Sequence, residues 1–207
     1  MGECRRDDLS NPSNNPPAPM TTSPAQTENL QMYVNDTAAM AKHIENAFAQ
    51  QCKDADVRSH IEAHQLIEKM HGTLAAQRVE MERQAHALSG GVGAALKEAV
   101  TNLTGTLAGL YGQVRKHPLS RILRDNYTAL SLACVSYEML HTTALGMNEK
   151  PLADIALRHL GELTPFIMAV TKIIPEVVLQ ELAKEDPTID VSVAGQALKN
   201  TLGAWFP

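Results

Sequence analysis

Proline placement constrains this chain more than any other feature. Five of its eleven prolines (Pro12, Pro16, Pro17, Pro19 and Pro24) fall in the first 24 residues, and the next is Pro118. Proline has no N–H to donate and its ring clashes inside a helix. The stretch between Pro24 and Pro118 is therefore free to run as long helices, whereas residues 1–27 are not. That leading segment is rich in Asn, Ser, Thr and Pro and poor in large apolar groups, so it is expected to be a disordered arm. Residues 28–185 are expected to form the folded body and 186–207 a C-terminal tail.

The apolar periodicity predicts a first helix over about residues 29–52, with Met32, Met40, Ile44 and Phe48 among its apolar positions. A second starts near Asp54 or Asp56, either a good N-cap, and stops before Gly90-Gly91. On it Ile67, Met70, Leu74, Met81, Ala85 and Leu88 share one side, and Glu62, Gln65, Lys69, Thr73, Glu80 and Arg83 the other. Ser89-Gly90-Gly91-Val92-Gly93 turns the chain into a crossover helix of about residues 92–114. It is no phosphate loop, because no strand precedes it and no Gly-Lys-Ser/Thr follows.

The next helix, about 119–147, is nearly apolar between Thr128 and Leu145 and is expected to be central. Gly146 and Asn148 close it, and Pro151 suits the first turn of another. That helix runs to about 164, where Gly161 and Pro165 predict a bend. Pro175 opens a last segment to about 185, followed by a mixed tail over 187–207 that ends in Trp205 and Phe206. No segment alternates like a strand. The class is all-α, an up-down bundle with one long connection.

Charge and cysteine usage narrow the function classes. The net charge is −5 with no Lys/Arg cluster, which argues against nucleic acid as a partner. Cys4, Cys52 and Cys134 share no metal-like or redox-like spacing and fit free thiols in a reducing compartment. No apolar leader is evident. The apolar runs near 129–135 and 166–171 fall far short of the ~20 residues needed to span a bilayer. A soluble, cytoplasmic protein is expected.

The chemistry-bearing pattern is Glu68-Lys69-Met70-His71. Residues three apart on a helix point the same way, and four-helix bundles that hold two iron or manganese ions use Glu-x-x-His on two helices. His71 lies about 40° from Ile67 and Glu68 about 100° from it, so both are expected to face protein. Glu138-Met139-Leu140-His141 repeats the spacing, His159 and Glu162 reverse it, and His43 and Glu45 add donors to the first helix. His71, His141 and His159 in one layer with a carboxylate would suit Zn, Ni, Cu or Fe(II).

Each motif also has a purely structural reading. Glu68 and His71 can form a buried hydrogen bond, and Glu138 with His141 a surface ion pair. His159 with Glu162 can brace a kink beside Pro165. Tyr137 reads as a core residue whose hydroxyl reaches Glu68 or Glu162. Cys134 reads as a small buried hydrophobe, and His60, His64 and His86 as boundary residues.

His64, Glu68, His71 and Gly72, then Ser136-Tyr137, then Leu160-Gly161-Glu162, come in an order that resembles the ferritin-like stress-protein family of the YciE/YciF type, over about residues 30–180. The resemblance implies a ferritin-like four-helix bundle with a crossover helix and a short C-terminal helical extension. It also implies a homodimer and a di-metal site. Glu68 and His71 match that pattern and Glu162 matches a late carboxylate, whereas Ala41, Leu130 and Ala133 fall where further ligands are expected. Hydrocarbon cannot balance two divalent cations.

Three functions follow as expectations. The first is a non-enzymatic, dimeric structural or binding protein that has lost its metals. The second is an Fe-, Mn- or Zn-binding stress protein using Glu68, His71 and Glu162. The third is an adaptor that docks a protein partner through its arm or residues 187–207, set against a tail that folds back to cap the bundle. No Ser, Cys or Lys nucleophile constellation is visible.

Overall fold

The computed structural model describes residues 24–88 and 118–205. Among them every regular element is helical: α1 (Pro24–Gln51), α2 (Ala55–Ser59), α3 (Ile61–Leu88), α4 (Pro118–Gly146), α5 (Lys150–Glu185) and α6 (Ala194–Trp205), with a 3-10 turn at Val191–Val193. None is long and apolar enough to cross a membrane. The all-α expectation holds. Residues 1–23 of the expected 1–27 arm and the crossover helix of about 92–114 lie outside the described residues.

Buried positions on the long helices advance in steps of four and three, the repeat that keeps one seam facing a partner. On α1 they are Leu30, Val34, Thr37, Ala41, Ile44, Phe48 and Gln51; on α4 Leu119, Leu123, Asn126, Leu130, Ala133, Tyr137, Leu140 and Ala144. α3 continues the pattern with Ala63, Ile67, Met70, Leu74, Gln77 and Met81. These seams merge into one core with Leu152, Ala156, Leu163, Val170 and Val177 of α5.

α1 packs on α3 and α4, and α5 packs on the same two. Neighbours are antiparallel. Gln51 meets Asn126 at one end of the α1–α4 pair, and Tyr33 lies beside Met147 at the other. Glu80 meets His159 on the α3–α5 pair, while His60 lies beside Glu181. It follows that α3 and α4 point the same way.

Local chemistry explains the helix boundaries, including those sequence reasoning misplaced. α1 starts at Pro24, inside the expected arm, with proline in the first turn where a missing N–H costs nothing. The expected single helix after Asp54 is two. Asp54 Oδ1 accepts from Asp56 and Val57 N–H to cap α2. His60 then turns extended, with φ −113° and ψ 99°. Its Nδ1 accepts from Ala63 N–H at 3.2 Å, and its carbonyl accepts from His64 N–H at 2.9 Å. An imidazole thus caps α3, a role the usual Ser/Thr/Asp/Asn cap signals do not flag.

α4 ends as expected. Asn148 takes φ 60°, and Glu149 N–H donates to the Ala144 carbonyl at 2.8 Å while Asn148 N–H donates to that of Leu145 at 3.0 Å. This is the left-handed closure of a Schellman motif. α4 is not apolar-buried all round, however. Val135, Met139 and Leu145 are about half exposed, at 52%, 46% and 54%, because α1 and α5 cover only its inner sides.

The helix expected to stop near 164 does not, and α5 runs from Lys150 to Glu185 through Pro165 and Pro175. An interior proline costs about 3 kcal/mol. Leu163, Val170, Ile173 and Val177 are buried around the two prolines, and burying each such side chain is worth roughly 1.5–3 kcal/mol. Packing therefore outweighs the lost bonds. The freed Gly161 carbonyl and Pro165 both lie on exposed residues, open to solvent.

The tail is helical. α6 packs on α5, and Trp205 sits edge-on to Tyr127 of α4, ring centres 5.8 Å apart. No residue of α6 is buried, so the tail folds back along the outside of the helices.

Candidate functional site

Two polar clusters sit at the seams between helices. The first joins α1 and α3. His71 Nε2 lies 3.0 Å from Glu45 Oε1, Arg78 Nε 3.5 Å from Glu45 Oε2, and Arg78 donates to Glu82 at 2.9 Å. The carboxylate of Glu45 thus lies between an imidazole and a guanidinium.

The second cluster joins α3, α4 and α5. His159 is 1% exposed, and its Nε2 lies 3.1 Å from Glu80 Oε2, which also accepts from Arg158 at 2.7 Å. Gln77 Nε2 donates to the His159 carbonyl at 3.2 Å and to Glu162 Oε2 at 2.9 Å. The Tyr137 ring stands edge-on to that of His159, 5.1 Å away.

The hydrogen bond from Arg158, reinforced by that from His159, holds the Glu80 carboxyl below the usual range. Burial pushes His159 below its ordinary value although Glu80 pulls the other way. At neutral pH Glu80 is thus a carboxylate and His159 a neutral imidazole with its hydrogen on Nε2. Burial first, then Glu162 and Glu80, pushes the Tyr137 phenol far above its usual range. Burial likewise raises the Cys134 thiol, against a hydrogen bond with Thr164. Both groups are therefore protonated near pH 7.

The structure separates the residues that the Glu-x-x-His spacing grouped. Glu68 points outward, its side chain 55% exposed and 3.6 Å from His64. His71 turns to Glu45 instead. Glu162 is 40% exposed on its side chain and meets Arg158 and Gln77. His141 Nδ1 lies 2.8 Å from the Ala153 carbonyl and ties α4 to α5, while Glu138 is exposed. His159 pairs with Glu80 rather than with Glu162. Among the described residues no three His, Cys, Asp or Glu side chains are gathered so as to hold a metal ion. The donor set therefore does not fit Fe, Mn or Zn there.

Ala41, Leu130 and Ala133 are fully buried in the core. Tyr137 is a core residue, as read from the sequence, but its hydroxyl reaches neither Glu68 nor Glu162. Glu80, Gln77 and Arg158 escaped notice. Gln77 could have been found as the polar member of an otherwise apolar seam, whereas Glu80 reads as a solvent-side residue until α5 is laid against it.

Two further polar contacts are structural. Gln51 and Asn126 exchange two 2.8 Å amide hydrogen bonds inside the α1–α4 seam. Glu181 Oε1 accepts from Leu119 N–H at 2.9 Å, and both its oxygens lie near Ser120 N–H, so α5 caps the start of α4. Surface hollows lie elsewhere. One is floored by Met32, Tyr33 and Met147, and another by His60, Val177 and Glu181, where the histidine and carboxylate already serve as caps. Comparison with known protein families, with curated proteins and with solved structures finds no match, so geometry alone carries the functional reading.

Proposed function

We propose that this chain is a non-enzymatic, ferritin-like four-helix bundle in which apolar packing has taken the place of a di-metal centre, and that it works as a dimeric structural or binding module. The observation that carries this reading is the complete burial of Ala41, Leu130 and Ala133 in the core, with the nearby carboxylates and imidazoles paired to one another. Oxygen donors are what paired divalent cations require, and those positions offer none. Antiparallel neighbours, a parallel α3 and α4 and one long connection between them support the ferritin-like order of helices.

The proposed dimer uses the outward faces of α4 and α5, where Val135, Met139 and Leu157 are exposed at 52%, 46% and 50%. Exposed apolar side chains on adjoining helices suit a self-complementary contact. Elemental analysis of the purified protein tests the metal side of the proposal, and trace, non-stoichiometric metal is the expected result. Two Fe or Mn per chain would overturn it. Light scattering tests the assembly: a dimer is expected that Val135→Lys with Met139→Lys converts to a folded monomer.

A further inference from the structure

Of four buried side-chain polar atoms without a hydrogen-bond partner among the described residues, three belong to side chains that adjoin one another: Tyr137 Oη, His159 Nδ1 and Gln77 Oε1. They belong to side chains exposed by no more than 1%, contributed by α4, α5 and α3. Native interiors seldom leave a buried polar atom unpaired, and three together call for a common explanation.

Their donor and acceptor character is settled by their neighbours. Glu80 is a carboxylate held by Arg158 at 2.7 Å, so the imidazole hydrogen sits on Nε2, 3.1 Å from Glu80. With the ring neutral, as its burial favours, His159 Nδ1 is a bare acceptor. Gln77 spends its amide N–H groups on the His159 carbonyl and on Glu162, which leaves Oε1 as a second bare acceptor. The Tyr137 hydroxyl has one hydrogen and lone pairs to offer. Together the three ask for two hydrogens and one lone pair, the complement of a water molecule. An anion would face two acceptors, and an apolar ligand would satisfy none of them.

The layer also has small side chains around it. Stepping ten residues in opposite directions from the Gln51–Asn126 pair puts Ala41 level with Ser136 and Tyr137. Ala133 and Ala156 lie one turn from Tyr137 and His159 and are fully buried. These neighbouring positions carry only small side chains.

We propose that Tyr137, His159 and Gln77 form a binding site for one internal water, which donates to His159 Nδ1 and Gln77 Oε1 and accepts the Tyr137 O–H. The site extends the Arg158–Glu80–His159 contact into the core and fixes α3, α4 and α5 at one height. It does not depend on the proposed function.

A high-resolution crystal structure of the full chain tests the site directly. The expected result is a water within about 2.7–3.2 Å of at least two of the three atoms. An empty layer would overturn the proposal, as would a peak that disappears when ammonium salts are dialysed away. Tyr137→Phe gives an independent reading. It lowers Tm if the hydroxyl binds water, and raises Tm if the hydroxyl is an orphan in a dry core. Should that variant not fold, cross-relaxation between water and the His159 ring in the wild-type protein decides: a long-lived water supports the site, and its absence removes it.

Discussion

Two polar interruptions of the same apolar seam behave differently. Gln51 and Asn126 are both buried and exchange two amide hydrogen bonds, so every atom that points inward is matched. The layer of Gln77, Tyr137 and His159 is equally buried but leaves three polar atoms without protein partners. A reciprocal amide pair can do one thing, which is to fix the height of α1 against α4, because any slip strands both amides. A layer with unused donors and acceptors holds spare recognition capacity. Buried polarity alone therefore does not mark a site; unspent polarity does.

The largest effect is expected where the matching is complete. Asn126→Leu leaves the Gln51 amide buried and unpaired, at a cost of about 2–3 kcal/mol, or roughly 4–12 °C in Tm for a chain of this size. Adding Gln51→Leu removes the stranded group and should recover much of the loss. Thermal melts of the two single variants and the double variant give the coupling directly. Additive losses would mean that the pair does not set the register.

Next in size is the cap that α5 provides for α4. Glu181 places a carboxylate on the first N–H groups of α4, where orphan donors and the helix dipole both favour negative charge. Glu181→Ala should cost about 1–2 kcal/mol, and hydrogen exchange should speed up at Leu119 and Ser120 before it does at the Gln51–Asn126 layer. Uniform loosening would contradict a local cap.

Acid separates the two layers more gently. His159 sits below its ordinary value of 6.5, so the unfolded chain takes up a proton that the native state refuses. Stability should be constant above about pH 6.5 and fall as the pH drops below it. Glu80 is held below its ordinary 4.5, so its contribution is present above that value and is lost as the pH falls further. The two losses have the same sign and follow one another. In melts from about pH 7.5 to 4, His159→Asn should flatten the upper part of the fall and keep the lower part. The amide pair has no titratable group and should contribute to neither part.

Much of the fold could be read from local signals because those signals act locally. Pro118 and Gly146 bracket α4 within a residue of the expected limits, and Asn148 adopts the left-handed turn its type favours. α5 was misread because proline punctuates a sequence by its own geometry, whereas the outcome depends on side chains buried against other helices. His60 reads as a boundary residue, and its capping role is hidden because a histidine caps a helix only when its ring turns back on the next amides.

The candidate site was far less legible. Glu45 and His71 are 26 residues apart in sequence, and Gln77 and Glu162 85. Such partners are chosen by helix register and not by spacing along one helix.

Glu68 shows the limit most plainly and supplies the smallest expected effect. Its spacing to His71 suggested two ligands aimed at one point. Yet a residue 100° from the buried line of a helix sits at the edge of the contact, and the Glu68 side chain is 55% exposed. Its 3.6 Å approach to His64 is a surface pair, of a kind that contributes little in water. Glu68→Ala should therefore shift stability by less than about 0.5 kcal/mol and leave metal content at the wild-type level. His71→Ala, by contrast, strips Glu45 of a 3.0 Å partner and should cost more, with Arg78 taking over part of the charge. If Glu68→Ala instead proved the more damaging, or changed metal content, the carboxylate would have to turn inward in solution and the Glu-x-x-His reading would be restored.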